Sequence, residues 1–414
     1  MTCVDRRRKV KKAAIFCAVL SFLMLAGCKE KTTQEFPDSP MPGMDAQNQY
    51  LCAGIINFQE TEDFFCGTNM DRMQLQYYDK ESGASGVLCP DPACNHDTGD
   101  CSANIGGNSL SVYDGKFYWV APKGIREMAL YRSDLSGTNR EELRVLDPNK
   151  VITPYQPQWY MVHRGNLYFL GRANIVEETR NRQRITLQTT PLEGNEDFSI
   201  LYQEIFDAGS EFSVRFVGNY VYLSCVSFEA AGGPFDITII RYNTETQTGE
   251  ELYTEKGVSR YLGKIWVTEQ GEIYLPGAGE GKAYVWKIQN GQRKELLSWE
   301  DGDDSPPDLL DEVVVHMTRK GYTRWLNVMD YTGKILYEGK LFPEPVPGVE
   351  GDPGVFGDPQ AQGPEYGFAL VGGDSQKLII HLTAFQESGG DYTLMLDLTD
   401  NLKPTVLWSD MENG

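Results

Sequence analysis

The sequence has little positive charge, few histidines and no helical pattern. Its 414 residues carry 38 Lys+Arg against 59 Asp+Glu, a net charge of −21, which disfavours a nucleic-acid-binding protein. Of its 4 histidines, His163, His316 and His381 are scattered and read as ordinary strand residues. No apolar stripe at helical spacing and no G-x-S-x-G elbow occurs, which disfavours a serine hydrolase on an α/β domain.

The N-terminus has a basic stretch and then a short apolar run. Residues 6–12 hold six Lys and Arg residues, and the apolar run at 13–26 is about 14 residues long. That length is typical of a secretory signal peptide and short for a bilayer-spanning helix. The run ends in Leu25-Ala26-Gly27-Cys28, which resembles the lipobox of bacterial lipoproteins. A plain signal peptide or a short anchor helix is the alternative.

The lipobox resemblance implies processing and location. In that family the Cys thiol, here Cys28, receives a diacylglyceryl group, and cleavage after residue 27 makes this Cys the first residue of the mature chain. We expect a signal peptide at 1–27 and a lipid-anchored protein on the extracytoplasmic face of the cell membrane, held stably by two or three acyl chains. The mature chain has 32 basic and 58 acidic residues, a net charge of −26. Residues 28–48 are predicted to be the lipidated Cys and a flexible tether.

The region 49–414 contains a repeated strand pair. A glycine turn precedes an aromatic strand with a central tyrosine at Tyr118, Tyr168, Tyr222 and Tyr274, spacings of 50, 54 and 52 residues. Alternating apolar residues between Gly, Asn and Asp turns predict antiparallel strands, and this period is typical of kelch-like propeller blades. We predict one all-β domain, a β-propeller of about seven four-stranded antiparallel blades. Their predicted bounds are 50–90, 107–147, 156–203, 211–254, 260–299, 311–342 and 365–409. The sixth copy lacks the aromatic strand, which leaves six or eight blades open.

One repeat carries a family resemblance. Leu130-Tyr-Arg-Ser-Asp-Leu-Ser-Gly-Thr-Asn-Arg-Glu-Glu-Leu, following Asp114-Gly-Lys-Phe-Tyr-Trp, resembles the repeat of TolB-like and YWTD-like propellers, especially that of bacterial surface lipoproteins with a DUF5050-type propeller. In such families the propeller implies binding or scaffolding more often than catalysis, and no catalytic residue carries over. The resemblance implies a binding or scaffold module, and we expect a monomer that recognises an extracellular protein, peptide or glycan. The alternative is an extracellular enzyme, either a quinone-dependent dehydrogenase or a glycan-cleaving propeller, with acids, a base or a metal at the central channel.

The densest chemical motif is C-x4-C-x-H-x4-C, formed by Cys89, Cys94, His96 and Cys101. Three thiolates and one imidazole within 13 residues offer the four ligands of a structural Zn²⁺ site. An exported compartment also permits disulfides, so a disulfide-stapled loop stays open. A redox-active site is a third interpretation.

The number of the remaining cysteines bears on the choice between a metal site and a disulfide-stapled loop. Cys225 lies in the fourth blade and is expected to be a buried free thiol, since Cα atoms more than about 7 Å apart cannot be bridged. Five cysteines then lie near the first blade. A three-Cys metal site and a Cys52–Cys66 disulfide use all five, whereas pairing them all in disulfides leaves one over.

Two polar segments interrupt the repeats. The acidic segment 299–312 lacks the D-x-D-x-D-G order of a calcium loop and is predicted to be a solvated loop. Residues 343–364 are rich in Pro and Gly and predict a long loop, either a mobile flap over one propeller face or a passive insertion.

Overall fold

A computed structural model describes a large part of the chain: residues 39, 41, 50–52, 58–69, 73–96, 101–106, 110–123, 127–146, 159–176, 181–194, 196–207, 211–228, 234–300, 305–358, 360, 363–385 and 390–409. The predicted signal peptide at 1–27, Cys28 and nearly all of the tether at 28–48 lie outside these residues. Within the described ranges, no helix has the length and apolarity needed to cross a membrane.

Seven antiparallel sheets form the described structure, which confirms the predicted seven-bladed propeller. The degraded sixth repeat also forms a complete blade. The first three blades are β2 (Phe58–Glu60), β3 (Phe64–Asn69), β4 (Gln74–Asp79), β5 (Ser85–Val87); β6 (Leu110–Tyr113), β7 (Lys116–Lys123), β8 (Glu127–Asp134), β9 (Glu141–Leu146); β10 (Trp159–His163), β11 (Asn166–Val176), β12 (Asn181–Pro191), β13 (Ser199–Asp207). The fourth and fifth are β14 (Glu211–Val217), β15 (Tyr220–Phe228), β16 (Phe235–Asn243), β17 (Thr248–Val258); β18 (Tyr261–Leu262), β19 (Trp266–Val267), β20 (Ile273–Gly279), β21 (Lys282–Gln289), β22 (Gln292–Glu300). The last two are β23 (Asp308–Leu309), β24 (Val313–Lys320), β25 (Thr323–Asp330), β26 (Ile335–Lys340); β27 (Tyr366–Gly373), β28 (Lys377–Ala384), β29 (Tyr392–Asp397), β30 (Lys403–Ser409), with a 3-10 turn at Leu398–Asp400.

The repeated aromatic strands form the core between blades. The four recurring tyrosines are all buried, as are most residues of the strands that carry them. Tyr168 of the third blade meets Phe216 of the fourth with ring centroids 4.8 Å apart. Each sheet is therefore apolar on both faces, and burial of these rings between neighbouring sheets supplies most of the hydrophobic stabilisation.

The ring closes through side chains. The first and seventh blades are each built from consecutive strands. Phe58 of the first blade stacks on Trp408 of the seventh with centroids 6.2 Å apart, and Lys377 pairs with Glu60 at 3.3 Å. Phe65, Ile379 and Trp408 share one buried cluster at this junction.

A polar contact accompanies the apolar packing at each junction between blades. A side chain on or near the first strands reaches the next blade at every step around the ring. The contacts are Gln59 to Leu110 O (3.2 Å), Val162 N to Ser111 Oγ (3.1 Å), His163 to Gly218 O (2.7 Å), Arg215 to Val267 O, Trp266 to Asp311 (3.0 Å), Ser375 N to Glu312 (3.2 Å) and Lys377 to Glu60 (3.3 Å). Directional polar contacts of this kind fix how neighbouring blades are placed, and the buried ones also stabilise the ring.

The first strands lie at the centre of the ring. β2 lies beside β6, and β6 beside β10. Because every blade is built from consecutive antiparallel strands in the same order, these first strands run in the same direction along the ring axis. The turns that follow them, at 114–115, 164–165 and 218–219, consequently share one face, which we call the inner-turn face. The turns between second and third strands share the opposite face.

One strand lies outside the seven repeats. β1 (Tyr50–Cys52) pairs antiparallel with β14, the first strand of the fourth blade, with Cys52 opposite Ser213. The chain therefore contacts the inner edge of the fourth blade before it begins the first blade.

The connection between the sixth and seventh blades is anchored, so the interpretation of a mobile flap is wrong. The backbone N–H of Arg324 donates to Gly354 O at 2.7 Å, and its guanidinium donates to Pro353 O at 2.9 Å and to Tyr366 O. Leu341 and Val346 are buried against the sixth and seventh blades. Burial lowers the pKa of Arg324 to about 10, and backbone carbonyls supply its hydrogen-bond acceptors.

Candidate metal centre

The Cys/His loop leaves the first blade after β5, and both of its stems are bonded to β4. Leu88 N donates to Leu75 O at 2.9 Å, and Leu75 N donates to Ala103 O at 2.8 Å. The Gln74 amide also donates to His96 O. Because one strand holds both stems, the two ends of the loop are brought together, and with them the residues at positions 89 and 101.

The four predicted ligands converge. The ligand atoms of Cys89, Cys94, His96 and Cys101 all lie within 4.8 Å of one another. A tetrahedral zinc site with Zn–S bonds of about 2.3 Å has ligand atoms about 3.8 Å apart, so only a small contraction is needed. The three sulfurs are free thiols in the structure. This is the one such cluster of His, Cys, Asp or Glu among the described residues.

Local turns aim these side chains inward. Asp91 accepts a hydrogen bond from Ala93 N at 2.9 Å through its side chain and from Cys94 N at 3.2 Å through its carbonyl. His96 adopts a left-handed backbone with φ 59°, and its Nδ1 lies 3.5 Å from Cys101 Sγ. A non-glycine residue in that conformation is strained, and such strain is typical of functional sites.

The thiols differ in their surroundings. Burial raises the pKa of Cys101 to about 11. Burial also acts to raise the pKa of Cys89, but hydrogen bonds, including the Ser102 hydroxyl at 3.5 Å, outweigh it and lower that pKa below its ordinary value. Cys101 is thus buried with a raised pKa, whereas Cys89 is half-buried with a lowered pKa.

The loop also packs on the second blade. Cys89, Cys94 and Cys101 belong to an apolar cluster with Phe117 and Trp119. Arg140 donates to Asn104 O at 2.8 Å, and a Cβ added to Gly137 would lie 2.9 Å from Leu88 O. A metal here would therefore join the first two blades.

Two further cysteines of the described ranges, Cys66 and Cys225, are free thiols. Cys225 is a buried free thiol, as predicted. Cys66 is also a free, buried thiol whose Sγ lies 3.7 Å from Gln59 O, and burial raises its pKa. The structure therefore lacks the predicted Cys52–Cys66 disulfide. The physical reason is topological, because the strand with Cys52 pairs with the fourth blade while Cys66 lies in the first.

The strand histidines each have a structural environment of their own. His163 bonds to the neighbouring blade, His316 accepts from Trp299 Nε1 at 3.1 Å, and His381 lies 3.2 Å from Thr393 Oγ1. They lie on three different blades and do not form one cluster.

The acidic segment is partly structural. Asp311 accepts from Trp266 and pairs with Arg215 at 3.0 Å, and Glu312 accepts from Ser375 of the seventh blade. The interpretation of a wholly solvated loop is therefore wrong for Asp311, which is half-buried, whereas Glu312 is exposed. Residues 301–304 lie outside the described ones.

An exposed aromatic surface lies on the opposite face from the inner turns. Tyr322 is 51% exposed and Phe385 is 61% exposed. Phe356 links them, since its N–H donates to Tyr322 O at 2.9 Å and its ring lies 5.8 Å from that of Phe385. The Arg319 guanidinium lies 4.6 Å above the Phe356 ring. We call Arg319, Tyr322, Phe356 and Phe385 the aromatic surface.

Sequence reasoning missed three buried arginines. Arg164, Arg215 and Arg324 are each at most 5% exposed. One sequence signal was available for Arg215, which interrupts an apolar run between Val214 and Phe216. Their hydrogen-bond partners are mostly backbone carbonyls, so no pattern of side chains in the sequence predicts these contacts.

Comparisons with known proteins give no family for this chain. No family model and no curated protein matches this chain. Among solved structures, dipeptidyl peptidase 4 from Porphyromonas gingivalis is similar with a TM-score of 0.44 and 10% identity, over 91% of this chain and 62% of that one. TolB from Acinetobacter baumannii has a TM-score of 0.33 and 13% identity, over 68% of this chain and 77% of that one. Sqt1 from Saccharomyces cerevisiae has a TM-score of 0.44 and 11% identity, over 89% of this chain and 88% of that one. The chain spans less than two thirds of the peptidase.

Proposed function

We propose that this protein is a lipid-anchored extracytoplasmic lipoprotein whose monomeric propeller is a binding or scaffold module for an extracellular protein, peptide or glycan. The aromatic surface is the observation that carries the binding role. Exposed aromatic side chains close together are typical of interaction sites, because burying them on a partner removes much apolar surface from water. The flanking arginine adds a hydrogen-bond donor and a cation for stacking.

The anchor rests on the motif that ends at Cys28. Expression in a bacterium fed labelled palmitate should label the wild-type chain and place it in the membrane fraction. Cys28→Ser should abolish the label and leave the propeller folded. Equal labelling of both proteins would refute lipidation at this residue.

Binding is tested on the aromatic surface itself. Wild-type protein and a Tyr322→Ser/Phe385→Ser variant should be compared on printed arrays of bacterial surface oligosaccharides and of peptides. Ile335, which is 53% exposed and lies in the sixth blade away from the aromatic surface, provides the control Ile335→Ser. The wild-type signal should fall at least about tenfold in the double variant, about 1.4 kcal/mol, and persist in the control. An array signal unaffected by the double variant would move the binding site elsewhere.

We also propose that Cys89, Cys94, His96 and Cys101 bind one structural Zn²⁺. Three free thiols and one imidazole converge, and together they would fill all four positions of a tetrahedral ion. Structural zinc sites have such a complete ligand set, which supports this role. When bound, the ion would hold the three thiols as thiolates and join the first blade to the second.

The zinc proposal has a direct test. Purified protein should contain about one zinc per chain, and a chelator should release three reactive thiols along with it. Cys94→Ser should lose the metal, whereas Cys225→Ala, which removes a thiol from the fourth blade, should keep it. Fewer than about 0.2 zinc ions per chain, with no thiols released by chelator, would exclude the site.

A further inference from the structure

Arg164 occupies an unusual place in a tight turn. His163 pairs with Asn166, so Arg164 and Gly165 form a two-residue hairpin loop with φ 46° and 72°. Such loops favour Asn, Asp or Gly at the first position, and the matching turn of the second blade has Asp114. An arginine there carries backbone strain, which its side chain must offset.

The side chain of Arg164 binds the N-terminal segment. It is 4% exposed, and it donates to the Asn219 side chain of the fourth blade and, at 2.8 Å, to Ser39 O. A buried guanidinium on the inner-turn face thus holds a backbone carbonyl from a residue 125 positions earlier in the chain.

The same segment makes a second contact inside the ring. Tyr50, Leu51 and Cys52 pair with Arg215, Val214 and Ser213 on the inner edge of β14. β1 runs antiparallel to β14, so it points from the inner-turn face toward the opposite face. The backbone edge of an inner strand accepts an extended segment here, as sheets do when they bind peptides by strand addition.

We propose that Arg164 and the inner edge of β14 form a docking site for the chain's own N-terminal segment, which holds the propeller with its inner-turn face toward the membrane. This orientation rests on the proposed lipidation of Cys28, whereas the docking does not. Ser39 lies eleven positions after Cys28, and a flexible chain of that length spans at most about 38 Å and about 18 Å on average. A tether that stayed free as far as Phe58 would average about 30 Å and leave the propeller free to turn. Docking therefore presents the aromatic surface away from the membrane.

Hydrogen exchange tests the docking without any lipid. In the mature chain 28–414, Leu51→Pro should disrupt β1, and amides of 211–217 should exchange at least about tenfold faster. Gln34→Pro, in the segment before Ser39, is the matched control and should leave them unchanged. Arg164→Asn keeps a residue suited to the turn and should speed cleavage by protease near Ser39 while the hairpin stays protected. Unchanged exchange at 211–217 in Leu51→Pro, or unchanged cleavage in Arg164→Asn, would overturn the docking site.

Energy transfer tests the orientation. The lipidated protein in phosphatidylcholine vesicles should carry a bioorthogonal dye at position 114 on the inner-turn face or at position 322 on the opposite face. Transfer to an acceptor lipid should be severalfold greater from position 114. Equal transfer from both positions would overturn the orientation. Failure to associate with vesicles would instead count against the lipid anchor, and the exchange experiment would still decide the docking.

Discussion

Arg215 provides the sharpest test of how the ring is held together. Its side chain is 5% exposed and joins three blades. It donates to Val267 O of the fifth blade and pairs with Asp311 of the sixth at 3.0 Å, and its guanidinium lies 3.8 Å over the Trp266 ring. Replacing it with Met keeps much of the stem packing but removes the charge and the donors.

The expected magnitude follows from these contacts. A hydrogen bond to a charged group contributes about 1.5–3 kcal/mol, and a cation over an aromatic ring about 0.5–2 kcal/mol. Asp311 is 39% exposed, so water replaces part of what it loses. We expect Arg215→Met to lower the free energy of unfolding by about 3 kcal/mol, within the range for breaking a buried ion pair.

Arg241 supplies a matched control. It pairs with Glu250 and lies 4.7 Å over the Tyr220 ring, but the pair is 34% and 56% exposed. Arg241→Met should cost less than about 1 kcal/mol, and less still at high salt. Urea unfolding of both variants at 25 °C, read as a change in midpoint at constant slope, measures the difference. Equal losses in the two variants would refute the claim that the buried arginine cross-links the blades.

Three further predictions concern other parts of the ring. Arg324→Met leaves two buried carbonyls without donors, so it should lower the free energy of unfolding by about 2–4 kcal/mol and speed hydrogen exchange in 341–358. Partial loss of hydration raises the pKa of Asp308, an otherwise exposed residue, to about 6, so the folded chain holds this proton more tightly than the unfolded chain. The contribution of Asp308 to the free energy of unfolding should therefore rise as pH falls from about 7 to 4. Asp308→Asn should make the urea midpoint less dependent on pH over that range. The change should be small, because water still reaches this carboxylate. Gly137→Ala strains a backbone with φ 77° and crowds Leu88 O, so it should weaken zinc retention against a chelator, and unchanged retention would argue against contact between that turn and the loop.

The repeat was visible in the sequence because each blade must bury the same kind of strand. The tyrosines at about 50-residue spacing lie in strands packed on both faces, so their positions repeat even where turns vary. The sixth blade lacks this aromatic strand, but Val313 and Val315 of its second strand are buried there and pack with Leu326 of the third strand. Contacts between distant segments were not predictable, since they depend on which backbone carbonyl lies near which blade. Arg164, Arg215 and Arg324 are of this kind.

The Cys/His loop shows how much of a candidate metal centre can be predicted from the spacing of residues along the chain. Thirteen residues with three cysteines and a histidine identify the ligands, but the same spacing fits a stapled loop. Counting cysteines does not decide the question, because Cys66 is left unpaired in either case. The structure adds what spacing does not show: β4 binds both stems of the loop, and Gln74 of this strand binds the carbonyl of His96. A disulfide needs two sulfurs about 2.05 Å apart and leaves the imidazole without a role, whereas one ion uses all four groups that the strand brings together. Gln74→Ala should therefore weaken zinc binding in a chelator competition without removing a ligand, and it should leave the thiol count unchanged. Zinc retention equal to that of the wild type would show that the loop itself, and not β4, places His96.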